Sequence, residues 1–71
     1  MSITALNPRN KFIGTVKEIT ESPVVSEIIV STPFGLVTSI ISTRSVHELE
    51  LQIGTKVMAL VKATEVSLAK L

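Results

Sequence analysis

Two cations and three hydroxyls are the residues of this chain best placed to do chemistry: Arg9 and Lys62, with Thr38, Ser39 and Ser42. Arg9 sits in Asn7-Pro8-Arg9-Asn10, a stretch that proline stiffens, and Lys62 closes an apolar run just before the small residue Ala63. Arginine brings a planar fork of donors and lysine a point charge, so the pair, helped by neighbouring backbone N–H groups, suits a tetrahedral oxyanion. Either one alone is ordinarily a solvated surface charge. The three hydroxyls fall on one run of β-type residues, from which they could donate hydrogen bonds to the same anion.

Catalysis finds no comparable constellation. His47 is the single histidine, and the chain has neither cysteine nor aspartate to join it. A general base or a metal ligand needs such partners, so His47 reads as a solvated residue and no direct protein–metal ligands are expected. Glu18, Glu21, Glu27, Glu48, Glu50 and Glu65 are scattered and read as solubilising charge. Gly14, Gly35 and Gly54 stand too far apart to cradle a phosphate and read as bulge, turn and helix stop. No serine has the flanking glycine pair of a nucleophile elbow.

The charge balance narrows the partners. Seven Lys and Arg against six Glu leave a formal charge of +1, too even for a surface that neutralises a run of nucleic-acid phosphates. Phe12 and Phe34 are the only aromatic residues, which removes the stacking platform of single-strand readers. No apolar run approaches the roughly 20 residues of a membrane span, and no basic segment followed by an apolar stretch opens the sequence. A soluble, cytoplasmic protein is expected.

These groups need a scaffold, and 71 residues are expected to make one domain over 1–71 whose small core is marginal alone. Without cysteine or a metal cluster, association is the remaining way to supplement it. The 45% of hydrophobic residues points the same way, since some apolar surface must then meet another chain.

Alternation of apolar and polar residues predicts strands over 11–20, 24–31, 36–42 and 55–62, with a short last strand over 65–69. Thr32-Pro33-Phe34-Gly35 carries turn chemistry and predicts a hairpin between the second and third. Between the third and fourth, Ser42 or Thr43 can cap, Ser45 and Glu48 have capping-box spacing, and Val46, Leu49 and Ile53 recur at helical intervals. One or two helical turns, ending before Gly54, are expected there. The fold class is all-β: a small OB-like Greek-key barrel of five to six strands with one short helix between strands three and four.

The order of these features resembles the molbindin family, the molybdate- or tungstate-binding OB-like module also known as a TOBE domain. Three segments carry the resemblance across nearly the whole chain: Asn7-Pro8-Arg9-Asn10 followed by Gly14-Thr15-Val16; Thr38-Ser39-Ile40-Ile41-Ser42 followed by Ser45-Val46 and Glu48-Leu49; and Lys62-Ala63-Thr64-Glu65-Val66. It implies molybdate or tungstate as the bound ligand, no organic cofactor, and a homohexamer built as a trimer of dimers with the anions between chains. The implied ligand groups are Arg9, Lys62, Asn7, Ala63, Thr38, Ser39 and Ser42. Two departures bear on the site, for Asn7 replaces a serine hydroxyl of the family and Ala63 stands where a serine is common. Both charges are kept while two hydroxyl donors are lost. Molybdopterin is a weaker ligand candidate, because no ring-stacking residue is present. The implied role is storage, buffering or delivery of the oxyanion; the alternative is a non-catalytic OB-like interaction module without an anion.

Overall fold

The structure, a computed structural model, describes residues 10–71. Four strands alternate with tight connections: β1 (Asn10–Glu21), β2 (Val25–Thr32), β3 (Gly35–Ser42) and β4 (Lys56–Val61), with α1 (Thr43–Glu48) between β3 and β4 and a 3-10 turn over Ala63–Glu65. All neighbours are antiparallel, in the order β3-β2-β1-β4, and the sheet curls into a half-barrel. The OB-like class read from the sequence holds.

The curl originates in β1. Its first half pairs with β4, from Asn10↔Val61 to Thr15↔Lys56, and its second half with β2, from Thr15↔Ser31 to Glu21↔Ser26. One strand therefore serves two neighbours in succession, and the backbone must pass close to β2 at the changeover. Gly14 permits this: a Cβ there would strike the Ser31 carbonyl oxygen and lie 2.7 Å from Val30 Cγ1 and 3.0 Å from Thr32 Cγ2. The bulge expected at Gly14 lies instead between Val16 and Glu18, where the register shifts. It corrects the imperfect alternation of the sequence. Phe12, Gly14 and Val16 face inward, and after the extra residue Ile19 rather than Glu18 rejoins that face opposite Ile28. Beside the bulge, the loop before β4 satisfies the free backbone groups of Val16: its N–H donates to the Thr55 carbonyl (2.9 Å) and its carbonyl accepts from Gly54 N–H (2.8 Å).

The predicted hairpin forms as a two-residue turn at Pro33 and Phe34, with Thr32↔Gly35 as its last pair. The Thr32 hydroxyl accepts from Phe34 N–H (3.1 Å) and donates to the Gly35 carbonyl (2.8 Å), while Gly35 takes φ 122, open to glycine at no steric cost. Phe34 rests edge-on against Phe12.

Helix α1 begins where the sequence suggested, and of the two residues offered as its cap the structure uses Ser42. Ser42 is the N-cap: its Oγ accepts from Ser45 N–H (3.0 Å) and donates to Ser45 Oγ (2.8 Å). Glu48 is not the far half of a capping box. It pairs instead with Arg44 one turn earlier (3.2 Å). The helix stops at Glu48, Glu50 turns the chain with φ 53, and the expected apolar stripe breaks up. Val46 is buried and Leu51 packs beneath it, whereas Leu49 and Ile53 are exposed. A hydroxyl relay fastens the helix start to the sheet: buried Ser26 donates to Thr43 Oγ1 (2.6 Å), which donates to the Ser22 carbonyl (2.6 Å). His47 is exposed, as expected, with Nε2 3.0 Å from Glu21 Oε1.

The core is small. Val16, Ile28, Val30 and Val46 are buried, with Ile19, Val37, Ile41, Leu51 and Val57 partly covered against them. The outward face of the sheet is mixed, with Ile13, Val25, Leu36, Ile40 and Leu60 exposed beside Lys11, Thr15, Glu27 and Lys56. The last expected strand is absent. Residues 66–71 follow the 3-10 turn with no regular structure, and four strands, not five or six, are paired among the described residues. Alternation makes a segment fit to be a strand, but the hydrogen bonds of a strand belong to a pair.

Two substitutions test this account. Gly14→Ala should destabilise the fold by about 1–3 kcal/mol through overpacking against β2, seen as a lower melting temperature at fixed protein concentration. Ser42→Ala should cost about 1 kcal/mol through loss of the cap, with Ser42→Asp recovering most of it.

Candidate functional site

The half-barrel leaves a gap between its two edge strands, β3 and β4, and an apolar cleft of about 280 Å³ occupies it. Val37, Ser39 and Ile41 line it from β3, Val57 to Val61 from β4, and Leu49 and Leu51 from the segment after α1. The cleft is deep enough to reach the core at Val16, Ile28 and Val30. Its polar groups are few and lie at its margins.

Of the seven residues singled out in the sequence, five lie among the described residues; Asn7 and Arg9 lie outside them. Period two divides the hydroxyls of β3. Ser39 lies with Val37 and Ile41 on the inward face, half-buried, while Thr38 and Ser42 point outward and are exposed. Thr38 still borders the cleft. Ser42 is committed to the helix cap through both its donor and an acceptor site, which leaves it little capacity for an anion.

Lys62 and Ala63 lie at the other margin. Lys62 directly follows Val61, which lines the cleft, and its extended backbone (φ −64, ψ 144) caps the 3-10 turn Ala63–Glu65. Within that turn Glu65 N–H donates to the Lys62 carbonyl (2.9 Å) and Val66 N–H to the Ala63 carbonyl (3.3 Å). The N–H groups of Ala63 and Thr64 open the turn and have no acceptor inside it. Lys62 is exposed and takes part in neither of the two ion pairs among the described residues, Arg44–Glu48 and His47–Glu21.

The foot of β1 belongs to the same corner. The β1–β4 register ends at Asn10↔Val61, and Asn10 Nδ2 donates to the Val61 carbonyl (3.2 Å). Sequence reasoning picked out Arg9 and Lys62 separately and had no means of finding this pairing, because it depends on a contact 51 residues apart. The structure thus sets Lys62 and Ala63 on one side of the cleft and Thr38 and Ser39 on the other, with no hydrogen bond joining the two sets among the described residues. A four-oxygen anion at Lys62 would meet donors from one side only. No group of three or more His, Cys or Glu side chains gathers among the described residues, and no helix there is long and apolar enough to cross a membrane.

Known proteins supply an independent line of comparison. A TOBE domain profile matches residues 6–68. Among solved structures, a molybdate-binding protein from Sporomusa ovata is 40% identical over 92% of this chain and 97% of its own, with a TM-score of 0.87. MopII from Clostridium pasteurianum is 33% identical over 92% of this chain and 98% of its own, with a TM-score of 0.85. The cytoplasmic molybdate-binding protein ModG, solved with molybdate bound, is 34% identical over 84% of this chain but 43% of its own, with a TM-score of 0.81. No curated protein sequence matches significantly. The profile spans both margins of the cleft and the solved structures share its curled sheet, so the chain belongs to the TOBE domain family, in its molbindin branch.

Proposed function

We propose that the chain binds molybdate, or tungstate, for storage, buffering or delivery inside the cytoplasm, as a single domain over 1–71 that catalyses no reaction and uses no organic cofactor. The observation that carries this reading is the register at the foot of β1. Arg9 directly precedes Asn10, Asn10 pairs with Val61, and Lys62 directly follows Val61. Two cations each one residue from the same backbone pair are the start of a clamp for a dianion. Relatives that bind molybdate, at 34% and 40% identity, support the choice of anion.

Binding works by replacing water. Arg9 and Lys62 supply opposite charge, while the N–H groups of Ala63 and Thr64 and the Asn7 side chain direct donors at the oxygens. Ser39 faces the cleft from the other edge strand with Thr38 at its border, and Ser42 contributes least because the cap holds its hydroxyl. An exposed lysine in one chain neither encloses nor desolvates an anion, so the site is completed by a second copy, and a homohexamer built as a trimer of dimers repeats that arrangement. The exposed apolar residues on the outward sheet face, Ile13, Leu36, Ile40 and Leu60 among them, support the self-association. Anion and assembly then stabilise each other.

A thermal melt with molybdate, tungstate, sulfate and phosphate, read alongside native mass, tests the reading. Molybdate or tungstate should raise the melting temperature of a hexamer; no shift with any of them would favour a protein-interaction module without an anion. Arg9→Ala and Lys62→Ala should each weaken molybdate binding by roughly 2 to 4 kcal/mol, about 30- to 1,000-fold, in equilibrium dialysis. Unchanged affinity in both variants would remove them from the site.

A further inference from the structure

Strand β1 is held unevenly along its length. From Thr15 onward it pairs with β2, whereas from Asn10 to Gly14 its backbone pairs with β4 alone among the described residues. A two-stranded ladder is marginal in water and frays from its end. The end of this one is the Asn10↔Val61 pair, one residue from Arg9 and one from Lys62, so fraying there would part the two cations of the proposed clamp.

The β2–β3 hairpin supports the other side of that ladder. Its tip reaches past the last β1–β2 pair, Thr15↔Ser31, and sets Phe34 edge-on against Phe12, with ring centroids 6.3 Å apart and planes at 70°. These are the only two aromatic residues of the chain, and they meet at the end of the sheet. Phe34 is 85% exposed, so it gains little from burial and its contribution is the contact itself. The tip that carries it is stiff. Pro33 fixes its own φ, the Thr32 hydroxyl bonds both Phe34 N–H (3.1 Å) and the Gly35 carbonyl (2.8 Å), and Gly14 admits Thr32 at close range.

From Phe12 the constraint passes down the strand. Asn10, Phe12 and Gly14 share the inward face at a period of two, and their partners on β4, Val61, Ala59 and Val57, line the cleft. Asn10 ties the strands once more through its side chain, because Nδ2 donates to the Val61 carbonyl (3.2 Å). That carbonyl belongs to the peptide joining Val61 to Lys62. Holding it fixes the direction in which Lys62 leaves the sheet, and with it the N–H groups of Ala63 and Thr64 that open the 3-10 turn.

We propose that Phe34 and Asn10 are positioning residues for the oxyanion corner: the hairpin tip braces the foot of β1 through Phe12, and Asn10 fixes the Val61–Lys62 peptide so that both cations are presented together. Neither side chain touches the anion. The positioning role rests on the function proposed above; the brace is a property of the fold without ligand.

Phe34→Ala, Phe34→Tyr and Asn10→Ala test the two parts separately, through molybdate affinity by equilibrium dialysis and amide hydrogen exchange of the ligand-free protein. Each alanine variant should weaken molybdate binding by about 2- to 10-fold, the scale of one aromatic contact or one hydrogen bond. Phe34→Tyr keeps the ring and should bind as the wild type does. Because the two residues act along one path, the loss in the double alanine variant should fall short of the product of the single losses. Without ligand, both alanine variants should exchange faster over Asn10–Gly14 and Val57–Val61 and unchanged over Ile28–Val30. Equal acceleration in all three segments, or a lower native mass for Phe34→Ala, assigns the residues to general stability or to assembly and overturns the brace. Wild-type binding that neither alanine variant weakens overturns the positioning role alone. No binding by the wild type overturns the proposed function and the positioning role together, and leaves the brace to stand or fall on the exchange.

Discussion

The structure depends on a shortage of interior. A sheet of four strands buries four hydrophobic side chains among the described residues: Val16, Ile28, Val30 and Val46. Ordering a residue costs on the order of 1–2 kcal/mol of backbone entropy, and so small a core offsets little of that across the described residues. The apolar surface left outside is correspondingly large, on the sheet's outer face, in the cleft and along Val66–Leu71. The proposed self-association would draw on that exposed apolar surface.

A ligand site at such a joint has a physical advantage. An anion with four oxygens needs donors converging from several directions, and a lysine at an exposed corner supplies one. Bringing a second surface against that corner excludes water and strengthens each charge-assisted bond. The geometry that positions the corner is the division of β1 between two neighbours, which requires Gly14 at the close approach and the bulge at Lys17 to return Ile19 to the core. The proposed anion site and the fold thus share one feature: a long first strand whose foot meets the end of β4.

Much of this was legible in the residues. Alternation located β1 to β4 to within a residue or two, and Thr32-Pro33-Phe34-Gly35 named its own hairpin, because local sterics decide both. The helix was legible in its start but not its stripe, since Glu50 turns the chain before Leu49 and Ile53 can share a face with Val46. The capping residue was named among others; the spacing of Ser45 and Glu48 resembled a box that Ser42 made unnecessary. The strand expected over 65–69 did not form, because alternation fits a segment to be a strand but does not supply the partner it must pair with among the described residues. Of the candidate ligands, Lys62 stood out by position alone, whereas its relation to the foot of β1 required the Asn10↔Val61 register.

Tungsten locates itself in a crystal, and that makes the most direct measurement of the central claim an anomalous-scattering map of the protein crystallised with tungstate. The account predicts a peak at the junction of two copies, within hydrogen-bonding reach of Lys62 Nζ. A peak enclosed by one chain and remote from Lys62, or crystals with no specific peak at saturating tungstate, would contradict it.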